Sequence, residues 1–321
     1  MISIIMIVYE VEDYVEESIK SVLCQTYEDI ELVIVAGYGK DRSLEICEGY
    51  AAKDQRIKLI KCEAKGIADA RNKGLAACSG DYIGFVDSDD YIEPDMYERM
   101  LGLITGYDAG IAVCGRFYEY VNTTLSDKAA PVRVLSPEEA VAVTLGHEGF
   151  FLHLWDKLYR RDLFDGIVFR TDVTVEDRIV VDTLLAKSGR VVYDPAPLYH
   201  FRERSGSNSK RRGMTRNNLE ADLLMEEYVK KEFPDLSAMC DTFMLYEFIT
   251  CLQNETVSPD RSKEDIKEYR MRIRKKLDDA GAGIGGRLRL KAALALYMPR
   301  VLGFYTKRRQ AAAASELERF P

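Results

Sequence analysis

The chain has 321 residues, 47% of them hydrophobic, and a formal net charge of −8, enough apolar material for one large domain with an appendage or for two domains. No window approaches the roughly 18 continuous apolar residues of a membrane span, and the opening run ISIIMIV has neither a basic leader nor a cleavage site. The negative charge argues against bulk nucleic-acid binding, and seven cysteines without a close CxxC pair read as reduced thiols, so a cytoplasmic protein with no nucleic-acid partner is expected.

Residues 2–8 have the length and β-branching of a buried strand. The segment VEDYVEESIKSVLCQTY then sets Tyr14, Val15, Ile19, Val22 and Leu23 on one helical face. ELVIVA predicts a second buried strand, SLEICEGYAA a helix, RIKLIKC a third strand, GIADARNKGLAAC a helix and DYIGFV a fourth strand. Strands and helices alternating at this spacing imply βαβ units and a mostly parallel sheet covered on both faces.

The fourth strand discharges into Asp87, Ser88, Asp89 and Asp90. Three carboxylates in four residues repel one another unless a positive charge sits between them, and a divalent cation would supply it. In open α/β sheets ligands bind beyond the carboxyl ends of the strands. That rule gathers Tyr9 and Glu10, residues 36–41, residues 63–69 and the aspartates on one edge.

Beyond this point Pro94 suits the first turn of a helix, and DAGIAVCG predicts a strand. Ser136, Pro137 and Glu139 form a capping signature ahead of another helix. WDKLYRRDLF and VEDRIVVDTLLAKSG predict two more helices, the second ending at Gly189, and RVVYD and PLYHFR two short strands. After a basic loop, RERSGSNSKRRG, the pattern is mainly helical, which divides the chain into residues 1–213 and 214–321. Residues 281–321 hold eight Lys/Arg against two acids, Glu316 and Glu318. The stretch GRLRLKAALALYMPRVLGFYTKRR has the composition of a helix lying in an anionic membrane interface, broken near Pro299. A basic helix against the acidic body or another subunit would have the same composition.

Six spaced motifs, SVLCQTYEDIELVIV, ADARNKGL, GDYIGFVDSDDYIEPDMYE, WDKLYRRDLF, the VED at 175–177 and PLYHFRERSGSNS, resemble the family 2 glycosyltransferases. The likeness runs from residue 2 to about residue 209. It implies an α/β GT-A fold with a helical C-terminal extension. It also implies metal-dependent inverting transfer of a sugar from a nucleotide-diphosphate sugar to a glycan or lipid-linked acceptor, in polysaccharide synthesis at the inner face of the cell membrane.

In that family an Asp-x-Asp motif ending the fourth strand binds Mn²⁺ or Mg²⁺, and Asp87-Ser88-Asp89 matches it. The resemblance makes Asp89 a metal ligand and gives Asp87 to the ribose or the metal's water shell; acids at such positions also cap helices and turns. It makes Asp177 the base that takes the acceptor's proton, with Glu176 beside it, although an acidic pair at a helix start also satisfies the helix dipole. Tyr9 matches the aromatic that stacks on the base, with Val8 and Glu10 adjoining it, and Arg71 matches the arginine near the nucleotide. Trp155 and Lys157 fall in a segment placed near the acceptor. His200 is a structural histidine or, with Arg202, a group that reaches the diphosphate or metal.

Two departures bear on the donor. Met6, Ile7, Tyr9 and Glu10 stand where the family usually reads Pro-x-Tyr-Asn, and Ala36, Gly37, Tyr38 and Gly39 where it usually reads Asp-Asp-Gly-Ser. Ala36 removes an acid that accepts hydrogen bonds from uracil; Glu10 or Asp41 are the candidate substitutes and Tyr38 an added stacking surface. A catalytically inactive scaffolding member of the family is the alternative. A nucleotidyltransferase would need a Gly-rich basic loop after the first strand, and this chain lacks one there.

Overall fold

The computed structural model describes the chain except residues 64, 147, 174–175, 205–213, 259–260, 280–283, 300, 302, 305–307 and 309–321, and the side chains of 214–218. It divides into two compact units, Met1–Tyr120 with Thr124–Glu203 and Val121–Thr123 with Arg204–Pro321. The boundary expected at residue 213 lies outside the described residues.

The first unit is built on one sheet, β1 Ile2–Val8, β2 Ile30–Gly37, β3 Ile57–Cys62, β4 Tyr82–Phe85, β5 Tyr91–Ile92, β6 Ile111–Glu119, β7 Thr124–Ser126, β8 Arg133–Leu135, β9 Lys157–Arg160 and β10 Val191–Arg202. Its order is β3-β2-β1-β4-β9-β6-β10-β5, with β7 on β6 and β8 on β10. β3, β2, β1 and β4 run parallel, as do β6 and β10, while β9 lies antiparallel between β4 and β6. The near-continuous burial of β1 and β2 is what helices on both faces of a parallel sheet require. The first unit's helices are α1 Val15–Leu23, α2 Ser43–Ala51, α3 Ile67–Ala77, α4 Met96–Tyr107, α5 Pro137–Gly146 and α6 Glu176–Lys187. α3 lies close on β1 because it carries Gly74, where a Cβ would stand 2.7 Å from Ile5 Cγ2.

Several local expectations hold. Ser136 and Glu139 close a reciprocal capping box, each backbone N–H donating to the other's side chain at 2.8 and 3.2 Å. Gly189, with φ of 65°, follows the end of α6. Others are corrected. WDKLYRRDLF is not a helix: Lys157–Arg160 fills the space between β4 and β6 as β9, and only Arg161–Phe164 coils, into a single 3₁₀ turn. Two unpaired strands flanking a gap outweigh local helix propensity. Pro94 precedes α4 in the turn rather than opening it.

The segments RVVYD and PLYHFR form one strand, β10, interrupted by register shifts around Pro195 and Pro197. Proline has no N–H for the ladder, so the strand bulges there. Gly115 of β6 makes room, since a Cβ on it would lie 2.2 Å from the Pro195 carbonyl oxygen.

The second unit contains α7 Met214–Glu232, α8 Ser237–Val257, α9 Lys263–Asp279 and α10 Gly286–Tyr297. Phe243, Met244, Phe248, Ile249, Tyr269 and Ile273 are buried in it. Lys230 and Lys276 both bridge Glu226 and Asp241, tying α7, α8 and α9.

Gly115→Ala should destabilise the protein by about 1–3 kcal/mol through overpacking against backbone, read as a lower urea midpoint. Gly102→Ala at an exposed position of α4, where nothing lies within 4 Å of the added Cβ, should raise stability by about 0.5–1 kcal/mol.

Candidate active site

The turn after β4 is closed by the Asp90 N–H donating to the Asp87 carbonyl at 3.0 Å. One oxygen from each of Asp87, Asp89 and Asp90 lies within 4.8 Å of the others. The three are not equivalent. Asp90 is buried, its Oδ2 accepts the Tyr199 hydroxyl at 2.9 Å and its Oδ1 accepts the Arg202 backbone N–H at 2.8 Å. The Tyr199 oxygen in turn accepts the Asp87 N–H at 3.1 Å. Arg202 donates from Nη1 to the Asp89 carbonyl at 3.0 Å, pairs with Glu17 and covers the Tyr91 ring at 4.6 Å. Asp90 therefore fastens the turn to β10 through both of its carboxylate oxygens.

α3 brings Arg71 to the same place. Its guanidinium is buried, pairs with Glu176 and lies 5.8 Å over the Phe169 ring. Burial works against its charge, but Asp177, Glu176 and Asp87 together hold its pKa above the usual arginine value. Neighbouring Asn72 fixes Phe169 from both sides, donating to its carbonyl and accepting its N–H, each at 2.8 Å. Burial pushes Asp87 up to about 7; Arg71 pulls the other way, and Asp89, Asp177 and Glu176 add to the rise. Acids more than 85 residues apart in sequence thus share one electrostatic centre.

The two acids opening α6 differ in access. Glu176 is 1% exposed, and burial raises its pKa against the pull of Arg71. Asp177 is half-buried, and its Oδ1 accepts the Arg178 N–H at 3.0 Å. Val175, the first residue of the VED motif, lies outside the described residues.

On the side expected to hold the donor, the loops after β1 and β2 are knitted to each other. Val11 N–H donates to Ser43 Oγ at 2.8 Å, Glu12 N–H to Asp41 at 2.9 Å and Arg42 N–H to Glu12 at 2.9 Å. Asp41 also accepts the Ser43 N–H at 3.1 Å and hydroxyl at 2.7 Å. Burial opposes it, yet these bonds hold Asp41 below the usual carboxylate range. Glu10 is different: its backbone is left-handed, with φ of 52°, and its exposed carboxylate accepts the Lys40 N–H at 3.3 Å. Tyr9 and Tyr38 are 47% and 54% exposed, whereas Val8, Ala36 and Ser88 are buried, the first two paired across β1 and β2.

The residues expected on the acceptor side are held in the framework. Lys157 is fully buried and donates to the Phe151 and His153 carbonyls, both at 2.7 Å, and to Asp156 at 2.6 Å. His200 is stacked between Tyr91 and Phe117, with its ring nitrogens 2.7 Å from Glu119 and 2.8 Å from Glu93. Trp155 stacks on His153 at 4.9 Å and Tyr199 at 4.3 Å. His153 itself was not singled out from sequence, nor were Tyr199 and Asn72. Burial pushes the His153 imidazole down to about 3, with Asp177 pulling it up and Lys157 and Arg116 adding to the fall. The nearest signal in the sequence is position: Asn72 lies within ADARNKGL, Tyr199 within PLYHFRERSGSNS and His153 two residues ahead of WDKLYRRDLF.

A sheet of this order with acids beyond its parallel strands has counterparts among known proteins. The family model Glycosyl transferase family 2 matches residues 3–168, and the chain belongs to that family of glycosyltransferase enzymes. The glycosyltransferase EpsJ of Bacillus subtilis (strain 168) is 37% identical over 215 residues, 64% of this chain and 62% of EpsJ, so the match spans less than two thirds of that relative. TarS 1–349 of S. aureus, solved in complex with UDP-GlcNAc, aligns with a TM-score of 0.68 at 18% identity, covering 94% of this chain and 88% of TarS. The mannosyltransferase PcManGT from Pyrobaculum calidifontis, solved with GDP-Man and Mn²⁺, aligns at 0.55 and 17% identity, covering 98% of this chain and 86% of that one. These two likenesses show the fold, GT-A.

If Asp87 is a ligand, cation and proton compete for it. With Asp87 near 7, apparent Mn²⁺ affinity should be flat above that pH and fall by up to about tenfold per unit below it. Calorimetric titration from pH 5.5 to 8.5 checks this, and Asp87→Asn should abolish the slope.

Proposed function

We propose that this glycosyltransferase is metal-dependent and inverting, and moves a sugar from a nucleotide diphosphate to a glycan or lipid-linked acceptor in polysaccharide synthesis on the cytoplasmic side of the membrane. The observation that carries the reading is the meeting of Asp87, Glu176 and Asp177 on Arg71, beside Asp89. Asp87 and Asp89 fit Mn²⁺ or Mg²⁺ as a hard oxygen donor set, and would hold the ion; when bound it neutralises charge on the departing diphosphate.

Asp177 is the group we assign as base. It is the accessible member of the α6 pair, and inversion needs a carboxylate to take the acceptor hydroxyl's proton as its oxygen attacks the anomeric carbon opposite the diphosphate. Glu176, buried against Arg71, acts as a positioning residue. Asp177→Asn should lower transfer by about 10²–10⁴-fold while donor binding is retained. Asp89→Ala should instead remove the metal dependence of donor binding. Equal transfer rates for Asp177→Asn and the parent would refute the assigned base.

For the nucleotide we assign the stacking surfaces to Tyr9 and Tyr38 and the polar contact to Glu10, because Asp41 is committed to Ser43 and Glu12. A carboxylate there accepts a ring N–H from uracil, thymine or guanine and finds none on cytosine. Glu10→Ala should therefore weaken UDP or GDP binding by about tenfold and leave CDP binding unchanged, measured by parallel titrations with Mn²⁺ present.

A further inference from the structure

The last described part of the chain presents two unlike faces. Ala292, Ala295, Leu296 and Gly303 are buried, whereas Leu290, Tyr297, Val301 and Phe304 are 63%, 73%, 54% and 68% exposed. Hydrogen bonding carries the turn past the end of α10: Met298 N–H donates to the Leu294 carbonyl at 2.9 Å and Val301 N–H to Met298 at 3.1 Å. Met298 leaves helical geometry, with φ of −131° and ψ of 50°, so α10 ends at Tyr297 and the chain breaks just before Pro299 as the sequence leads one to expect. The exposed apolar residues Leu290, Tyr297, Val301 and Phe304 thus form a stripe along the chain that is interrupted at Met298, and Arg308 beyond it is also exposed. Large apolar side chains left open close together in one segment mark an interaction site.

Charge decides between the occupants of such a stripe. Residues 285–310 contain seven Lys/Arg and no acid. Arg287 and Arg289 are exposed beside the stripe, and the Lys291 ammonium lies 4.0 Å over the Tyr246 ring. A second copy docking face to face would bring two such basic stripes together, because a twofold contact pairs a patch with itself, and like charges would oppose it. An anionic lipid surface matches both features, apolar and aromatic groups entering the acyl boundary and arginines meeting headgroups.

We infer that this face docks in the plane of an anionic bilayer, holding the protein to the membrane peripherally. The inference does not depend on the proposed catalytic roles, and its test reads no activity. Full-length protein is floated with vesicles of phosphatidylcholine alone and of phosphatidylcholine mixed with phosphatidylglycerol. It should float only with the anionic vesicles, and high salt should weaken the association. Arg287→Gln with Arg308→Gln should lower the partition by about 25-fold, near fivefold per cation. Tyr297→Ser with Phe304→Ser should abolish flotation with circular dichroism unchanged, since both side chains are exposed. Flotation by this apolar variant equal to the parent's, or no flotation by the parent on anionic vesicles, would overturn the inference. So would sedimentation in lipid-free buffer as a dimer that the apolar variant dissociates, which would assign the stripe to a second copy.

Discussion

A buried guanidinium facing more carboxylates than it can neutralise is the constraint around which the first unit is arranged. Arg71 pairs with Glu176 while Asp177 and Asp87 act on it, and Asp89 presses on Asp87 in turn. Buried charges are costly unless they are paired and hydrogen-bonded, and removing one partner leaves the others uncompensated. Burial, with the surplus adding to it, pushes Asp87 up to about 7. Such an imbalance is hard to justify as a device for stability, because apolar side chains of similar volume would fold at less cost. It is intelligible as a site kept ready for positive charge.

Readiness of that kind requires the acids not to move apart, and β10 supplies the restraint. Its proline bulge redirects the strand so that Tyr199 and Arg202 meet the β4 turn, where they occupy both oxygens of Asp90 and the carbonyl of Asp89. His200, locked between two rings and two carboxylates, anchors the same strand to β5 and β6. Lys157 does the equivalent for the segment that carries His153 and Trp155. Each of these polar groups is buried and satisfied, the condition under which a polar network makes its surroundings rigid. What looks in sequence like a second set of reactive residues is the frame that fixes the first.

This explains where sequence reading succeeded and where it could not. β1 to β4 and the helices between them are legible because each strand is a short apolar run and each helix carries its own periodicity. The edge where ligands gather follows from topology alone, and Asp87, Asp89, Arg71 and the 176–177 pair stand out by motif. Lys157–Arg160 was misread because its conformation is set by β4 and β6, strands distant in sequence, which demand a partner between them. Burial was equally invisible for Lys157, His200 and Arg202, since a polar side chain in a short mixed segment looks the same whether it faces water or, like Lys157, two carbonyls and a carboxylate. Asp90 was grouped with its neighbours for want of any local sign that Tyr199 would claim it.

The donor-side departures take on a definite physical meaning once the loops are seen. Ala36 is buried and paired with Val8 and Lys61, so its backbone serves the sheet and its side chain brings no polar group to the strand end. The loops after β1 and β2 are tied to each other through Asp41, Ser43 and Glu12. The acids proposed for metal binding and proton transfer are tied instead to β10 and α3. The two networks meet at the start of α1, where the Tyr14 ring lies 5.4 Å from the Arg202 guanidinium, Glu17 pairs with Arg202 and Ser18 donates to the Asp90 carbonyl. A change at position 36, inside the sheet, is therefore expected to act first on which donor is held, the acids keeping the restraints that β10 and Arg71 give them, whereas a change that moves the β1 loop would reach them through Tyr14.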